Sequence, residues 1–473
     1  MKRFNVRAAI LVASAILASY VFISCASAPV TEPERIPPAL SQEELERMEL
    51  DAIYRLIEGD KLEEATGRIA ALRERNPLNR DYPLLQASLL LSLGRLGEAR
   101  DIAKAEAEGE AGNLNALYIL SEIERFAGDG AAQKKALDAL LAKDPNHADG
   151  QAAMGDIQYA AKNYRAAETS YQKALAAEPA HVEALLGLAR VLYRREDRKG
   201  ALAVLDKARE AAPSDPIVRL DRSRVLYQLG RYAECEDELN EAIRLAPGSA
   251  WSYVERGVLL MDTGRYTQAE SDFSRAIELD PDYFLSYVYR AGLREESGDD
   301  EGALEDYRVI TRLNPQYWFS FESIGVLSYR LGLWQDAYAA FDKAAAATPN
   351  HPEYYIAAGL SLMRSGQARA AKDYAGKMLP KIDRERYPAH WLALRLIYDQ
   401  TDMSAELEVK IQAEKSLDAK AGLLYYLGAY WVGRGRTELG LKYIRMSWDQ
   451  ERIGTVERRL AEADLKRLPS IQN

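Results

Sequence analysis

Apolar and polar residues alternate along most of this chain with the period of an α-helix. In residues 250–283, one stripe of apolar and small side chains runs up to Met261, Gly264 interrupts it, and a second stripe ends just before Pro281. Stripes of this spacing are typical of amphipathic helices. Glycine and proline are residues that commonly end helices. The segment therefore predicts two helices joined by a tight turn.

The same pattern recurs every 34 residues, which makes it a true internal repeat. Prolines occupy positions 145, 179, 213, 247, 281, 315 and 349, and glycines occupy positions 94, 128, 230, 264, 298, 332 and 366. Glycine supplies a left-handed conformation after the first helix, and proline cannot continue the second helix. The length of 473 residues would suggest about three domains. The repeat predicts one array of units with a continuous core instead.

Small residues stand 12 positions apart on the two helices of each unit. In the unit above they are Gly257 and Ala269, and the larger Phe273 follows. The small pair predicts a close approach of the two helices, and the large residue is expected to pack toward the neighbouring unit. Cys235 occupies the small position of its own unit, which favours a buried structural thiol over a nucleophile.

Together, the 34-residue period, the two small positions, the large residue and the closing proline resemble the tetratricopeptide repeat. The resemblance covers residues 46–385, or ten periods, and is weaker in residues 80–113, 114–147 and 352–385. It implies an all-α fold, a right-handed α-solenoid (superhelix) of 34-residue helix-turn-helix repeats. It also implies that the protein binds protein or peptide partners.

The boundaries of the predicted array follow from local patterns. Ser41 and Glu44 form a capping-box pattern at its start. We expect about ten repeat units in residues 41–385, then degenerate units of the same type and a C-terminal capping helix in residues 386–473. The last segment, residues 455–468, is rich in charge and is predicted to be a solvent-facing terminal helix.

The N-terminus has the features of an export signal. Three basic residues precede an apolar stretch that is short for a membrane span, and the stretch ends in Ser24 and Cys25, which resembles the lipobox of bacterial lipoproteins. The resemblance implies a signal peptide in residues 1–24, a lipid on Cys25 and a location in the bacterial cell envelope, on the periplasmic or outer-membrane side. The proline-rich residues 25–40 are predicted to form an extended tether. Cleavage after Ala28 with secretion, or an uncleaved anchor, stay open as alternatives.

Composition and charge exclude several kinds of function. The net charge of −10 does not favour nucleic acid as a partner. Two cysteines and four histidines are too few for a disulfide framework or a zinc module. His147, His181 and His351 share one phase of the repeat, just past the proline, and His390 stands alone. No catalytic motif is present. We therefore predict no enzyme, no metal site and no cofactor.

Candidate binding residues recur in phase on the first helix of each unit, which lines the inner face of the array in the resembled family. Tyr159, Tyr193, Tyr227 and Tyr329 share one phase, and Trp251, Leu285 and Phe319 share another. We predict that both rows line a groove for a partner. A third row is as compatible with packing between helices as with the groove, and it contains Leu186, Leu220, Val254, Val288 and Ile356.

These features favour a membrane-anchored scaffold that mediates protein-protein interactions in assembly, secretion or cell-wall complexes of the envelope. The alternative is a carbohydrate-binding, peptidoglycan-binding or enzymatic function in the C-terminal region. That alternative would use Trp391, Trp431 and Trp448 as sugar-stacking surfaces, although such residues more often pack the end of a solenoid.

Overall fold

The computed structural model describes residues 41–108, 113–400, 404–450 and 455–468. The predicted signal peptide, Cys25 and the tether lie outside these residues. The chain divides into two compact units, with unit 1 ending at Arg231 and unit 2 beginning at Tyr232. Within the described ranges the regular structure is entirely helical, as the sequence predicts.

Unit 1 contains helices α1 to α11. They are α1 (Gln42–Glu58), α2 (Leu62–Arg75), α3 (Asp81–Ser92), α4 (Leu96–Glu108), α5 (Leu114–Ala127), α6 (Gly130–Lys143), α7 (Ala148–Ala160), α8 (Tyr164–Ala177), α9 (Val182–Arg194), α10 (Arg198–Ala211) and α11 (Pro216–Gln228). Odd-numbered helices are the first helices of the repeat and even-numbered ones are the second helices. Each helix packs on the next along the chain, which is the order of a helical solenoid.

Unit 2 contains helices α12 to α25. They are α12 (Tyr232–Leu245), α13 (Ala250–Asp262), α14 (Tyr266–Leu279), α15 (Phe284–Ser297), α16 (Asp300–Leu313), α17 (Phe319–Leu331), α18 (Trp334–Ala347), α19 (Pro352–Arg364), α20 (Ala368–Met378), α21 (Pro388–Asp399), α22 (Ser404–Ala413), α23 (Leu417–Gly433), α24 (Thr437–Trp448) and α25 (Val456–Arg467). A short 3-10 helix, Leu379–Lys381, follows α20. The first helices again precede the second helices up to α24, and α25 stands alone at the end.

The turn after each first helix has the predicted left-handed conformation. Gly264 has a φ of 76°, and the other in-phase glycines have similar values. The capping box at the start of α1 is present as well, because the Ser41 hydroxyl accepts the Glu44 N–H and the Glu44 carboxylate accepts the Ser41 N–H. Both local predictions are therefore confirmed.

The small positions sit where two helices approach closely. A Cβ atom at Gly257 would lie 2.5 Å from the ring of Phe273, on the second helix of the same pair. Ala269 is fully buried, and the Phe273 ring stacks on Tyr289 of the next first helix at a centroid distance of 5.5 Å. The large residue thus fills space both within its own pair and toward the next. This confirms the predicted packing.

First helices of successive pairs also touch one another, in unit 1 as α3 with α5, α7 with α9 and α9 with α11. Among the described residues of unit 1, successive second helices show no comparable packing. The first helices therefore lie on the more tightly curved side of the stack. We call the surface that they present the inner face.

The charged C-terminal segment is not the solvent-facing helix that the sequence predicts. In α25, Val456 and Leu460 are buried, and Asp464 has no exposed surface at all. The helix packs on α17, α23 and α24 of unit 2. Its many charges find partners on these and neighbouring helices, which is why a charged sequence can be buried here.

No helix in the described part of the chain is both long and apolar enough to cross a membrane.

Candidate functional site

The inner face of unit 1 contains a cavity of about 280 Å³ between α7, α9 and α11. Two of the predicted groove residues, Tyr159 and Tyr193, line it. They come together because they hold the same position on successive first helices, one 34-residue period apart. The wall between them includes the apolar side chains of Ala189, Leu205 and Val225. The cavity therefore combines aromatic and aliphatic surface, as peptide-binding grooves do.

Charged side chains also line this cavity. The Asp221 carboxylate accepts hydrogen bonds from Arg190 and Arg224, each at 3.0 Å and each to a different oxygen. Arg194 donates from its Nε to the hydroxyl oxygen of Tyr159 at 3.3 Å. Asp221 is largely buried, whereas the side chain of Arg190 is 47% exposed. A buried carboxylate thus holds two guanidinium groups in place at a solvent-accessible cavity.

Tyr227 is the third member of the predicted tyrosine row, and it is half-buried near the end of α11. It does not line the cavity formed by Tyr159 and Tyr193. Its part in partner binding stays a prediction.

The second predicted row lies near the starts of first helices in unit 2. Trp251 is 39% exposed, and its ring lies 5.7 Å from that of Tyr283. Phe319 is 53% exposed and stacks on Trp318 at 3.8 Å, while Leu285 is half-buried. These side chains are accessible aromatic and apolar surface. Their use in binding likewise stays a prediction.

Tyr329 cannot belong to an exposed row, and this prediction is wrong. The side chain is completely buried, and its hydroxyl donates to the carboxylate of Asp464 at 2.9 Å. The hydroxyl of Tyr425 lies 3.0 Å from the same tyrosine hydroxyl. The reason is that α25 covers this part of the inner face of unit 2. Tyr329 is a structural residue of that contact.

The contact surface of α25 includes the inner face of several first helices of unit 2. Asp464 pairs with Arg364 of α19 at 2.7 Å, and burial raises the pKa of its carboxyl group, although Arg364 and the hydroxyl of Tyr329 oppose this shift. Arg459 pairs with Glu322 of α17 at 3.3 Å and also with Glu295 of α15. At α15, α17, α19 and α23, the inner face of unit 2 is therefore occupied by a helix of the same chain.

The third predicted row packs between helices more than it faces solvent. Leu186, Val254 and Ile356 are buried, and Leu220 and Val288 are half-buried. Of the two uses that the sequence leaves open for this row, the structure supports packing.

The tryptophans of the alternative function are covered. Trp391 has the guanidinium groups of Arg384 and Arg395 within 4.5 and 5.2 Å of its ring centroid. Trp431 is 6% exposed, and Trp448 is half-buried under Arg458. All three rings are thus at least partly covered by neighbouring side chains, which fits packing at the end of the helical stack better than stacking on a sugar.

The remaining candidates are structural. Cys235 is buried. His147 and His181 each cap the start of a first helix by accepting a backbone N–H. Burial alone would lower the pKa of His181, but the hydrogen bond and charge of Asp149 outweigh it and raise the pKa. Among the described residues, no group of three or more potential ligands could hold a metal ion.

Family models and solved structures match the chain. A tetratricopeptide repeat model matches residues 250–283, a second matches residues 158–219 and 195–255, and a third matches residues 50–116. None of the curated proteins matches the sequence at a significant level.

Three solved structures that match part of the chain are each about 20% identical to it. The structure from the functional characterisation of Pseudomonas aeruginosa pilF is 21% identical, over 46% of this chain and 94% of that one, with a TM-score of 0.39. YrrB, described as a TPR protein with an unusual peptide-binding site, is 22% identical over 38% and 93%, with a TM-score of 0.33. A tetratricopeptide repeat protein from Parabacteroides merdae is 19% identical over 52% and 96%, with a TM-score of 0.40.

The repeat models fall on segments that the structure folds into successive helices with in-phase turns. The chain is a tetratricopeptide repeat protein.

Proposed function

We propose that this protein is a scaffold that holds a segment of a partner protein against the inner face of unit 1. Tetratricopeptide repeat proteins mediate protein-protein interactions. The observation that carries the proposal is the cavity between α7, α9 and α11, where Tyr159 and Tyr193 stand beside fixed arginines. A surface with aromatic anchors and oriented charges is suited to binding a polypeptide.

The contact of α25 in unit 2 also supports binding of a polypeptide segment to an inner face. In unit 2 the inner face binds a helix through buried apolar side chains such as Leu460 and through ion pairs such as Asp464 with Arg364. The first helices of this chain therefore form a surface to which a polypeptide segment can bind. In unit 1 the corresponding surface has an accessible cavity.

In this proposal the scaffold acts in the bacterial cell envelope. A lipid on Cys25 would hold it to a membrane, and the proline-rich residues 25–40 would set the helical body away from the surface. The lipobox-like end of the N-terminal signal supports this part of the proposal. The protein would contribute binding and positioning rather than catalysis, with partners in assembly, secretion or cell-wall complexes.

The test is affinity capture from envelope extracts with the intact protein and with the double variant Tyr159→Ala, Tyr193→Ala. We expect a specific partner to be lost from the double variant while its helical circular dichroism stays unchanged. Tyr266→Ala is the matched control, because that tyrosine is 49% exposed at the start of a second helix in unit 2. If the double variant and the control retain the same partners, binding does not use this face.

A further inference from the structure

The cavity of unit 1 has the opposite charge to the chain as a whole. Three arginines line it, namely Arg190, Arg194 and Arg224, and Asp221 is the one acidic residue in its lining. The whole chain carries a net charge of −10. A positive site on an acidic protein attracts anionic groups that the rest of the surface repels.

The arginines are held in position. Asp221 places one carboxylate oxygen on Arg190 and the other on Arg224, so both guanidinium groups are fixed from the buried side. Arg190 uses its Nε and one Nη on that carboxylate, and a guanidinium has five N–H donors. Arg194 donates to Tyr159, which is a neutral partner. The positive charge of Arg194 is therefore not cancelled by its hydrogen bond.

The size and shape of the site favour a side chain over a whole small molecule. A volume of about 280 Å³ is just below the usual range for small-molecule sites. Arg190 and Arg194 are four residues apart on α9, so they are neighbours on one face of the helix, about 6 Å apart along its axis. A single carboxylate can reach two guanidinium groups at that spacing. Tyr159 and Tyr193 offer aromatic surface beside it.

We propose that this cavity binds an aspartate or glutamate side chain of a peptide lying extended along the inner face of unit 1. The carboxylate contacts Arg190 and Arg194, and a neighbouring apolar side chain of the peptide packs on Tyr159 and Tyr193. Asp221 is a positioning residue that orients Arg190 and Arg224. This inference rests on the proposed function, since it names the chemistry of the partner segment for that same face.

The experiment is selection of random phage-displayed peptides on the full chain. Peptides displayed through their C-terminus lack a free terminal carboxylate, so an acidic preference can come only from side chains. We expect the selected peptides to be enriched in aspartate and glutamate relative to the unselected library. Their synthetic copies should bind at least about tenfold more weakly when glutamate is replaced by glutamine, and more weakly as salt is raised.

Two arginine variants separate the site from general charge. Arg190→Gln with Arg194→Gln should abolish the acidic enrichment. Arg195→Gln should retain it, because that arginine lies on the same helix end but pairs with Glu168 at 2.6 Å and does not line the cavity. Acidic enrichment that persists in the double variant would overturn the proposal.

The remaining outcomes distinguish this proposal from the proposed function. Selected peptides without acidic residues, whose binding is lost with Tyr159→Ala and Tyr193→Ala, would overturn the charge preference and leave the binding face standing. Peptides that bind equally well to the tyrosine double variant would overturn both.

Discussion

One residue in the turn of each helix pair adopts a left-handed backbone conformation, whether or not it is glycine. From residue 60 to residue 400, the positive φ angles of the described residues fall at one phase of the 34-residue repeat, and the occupants include Asp60, Lys162, Glu196 and Gln400 in addition to the glycines. The sequence reveals this position only where glycine fills it. At the others, the packing of two helices imposes a left-handed conformation on residues that tolerate it poorly.

We expect Glu196→Gly to stabilise unit 1. Glu196 has a φ of 64°, where a Cβ atom is unfavourable. Removing it should relieve about 1 kcal/mol of strain, partly offset by the greater freedom of glycine in the unfolded chain. The expected result is a higher midpoint in urea unfolding.

Two further variants test the reason for that shift. Glu196→Ala removes the same charge but keeps the Cβ atom, so it should not raise the midpoint. Gly264→Ala places a Cβ atom where φ is 76° and should lower it by about 1 kcal/mol. A gain for Glu196→Ala as large as for Glu196→Gly would show that charge, not backbone strain, is responsible.

His390 should make unit 2 sensitive to mild acid. Burial lowers the pKa of its imidazole below the usual value, although Glu353 and Glu414 oppose the shift. Its ring lies between those of Tyr387 and Tyr426, at 5.9 and 6.5 Å. The neutral ring is thus favoured in the fold. Its contribution to stability is complete above the unfolded pKa of about 6.5 and is lost as the pH falls through the lower folded pKa.

The measurement is the urea midpoint at about pH 7.5 and pH 5.5, on either side of the usual histidine pKa. We expect His390→Gln to lose less stability between these values than the parent chain does. His351→Gln is the control, because His351 is exposed at the start of α19. An equal loss of stability in His390→Gln and in the parent would contradict this assignment.

At the scale of helices, the distance between neighbours depends on glycines that face large rings. A Cβ atom at Gly187 of α9 would lie 2.3 Å from the ring of Tyr171 on α8. A Cβ atom at Gly67, within α2, would have no atom of another helix within 4 Å. Both glycines are in helix interiors of unit 1, so they differ in packing and not in backbone conformation.

The two positions should therefore respond to alanine in opposite directions. We expect Gly187→Ala to destabilise by about 1–3 kcal/mol, because the core must move to admit one more carbon. Gly67→Ala should stabilise by about 0.5–1 kcal/mol through helix propensity. Thermal and urea unfolding would measure both. Equal effects at the two sites would mean that the contact of Gly187 with Tyr171 does not limit the helix spacing.

In the contact of α25 with unit 2, we expect removal of the Asp464 carboxylate to cost much stability and removal of the Glu462 carboxylate to cost little. Asp464→Ala would leave Arg364 buried without its partner and remove the acceptor of the Tyr329 hydroxyl, at a cost of about 3–5 kcal/mol. Glu462→Ala removes only an exposed pair with Lys466, worth about 0.5 kcal/mol or less.

Hydrogen exchange of the α25 amides would measure this difference. We expect Asp464→Ala to lose protection in α25 and on the covered faces of α17 and α23, while Glu462→Ala keeps it. Unchanged protection in Asp464→Ala would mean that apolar contacts such as those of Leu460 hold the helix without the buried ion pair.

For the molecule as a whole, the sequence predicts the features that recur in every unit, but it does not predict the contact of α25, which occurs once. The period of 34 located helices, turns and small positions, because the same local geometry is needed in every unit. The contact of α25 has no such period, since Asp464 meets Tyr329 across 135 positions of the chain. Val456, Leu460 and Ala463 are four and three residues apart, which is the helical spacing of a buried apolar stripe. The many charged residues around them favour a solvent-facing helix instead.

The arginines of the unit 1 cavity were missed for a different reason. Arg190 and Arg224 are one period apart, but exposed arginines such as Arg47 and Arg125 also occur on other first helices of unit 1. Only their shared hydrogen bonds to Asp221 distinguish them. Tyr159 and Tyr193 could be selected because tyrosine in phase is informative, whereas an exposed arginine by itself is not.

The two cysteines of the chain give the proposed membrane anchor a matched test. If Cys25 carries a diacylglycerol group, two acyl chains hold the protein stably on a membrane, which one chain does not do. Cys25→Ala should then abolish incorporation of a labelled fatty acid and release the protein from the membrane fraction. Cys235→Ala should change neither, because Cys235 is buried at a position that most other units fill with alanine. Membrane association and electrophoretic mobility that are unchanged in Cys25→Ala would exclude the lipid anchor and favour an uncleaved signal segment.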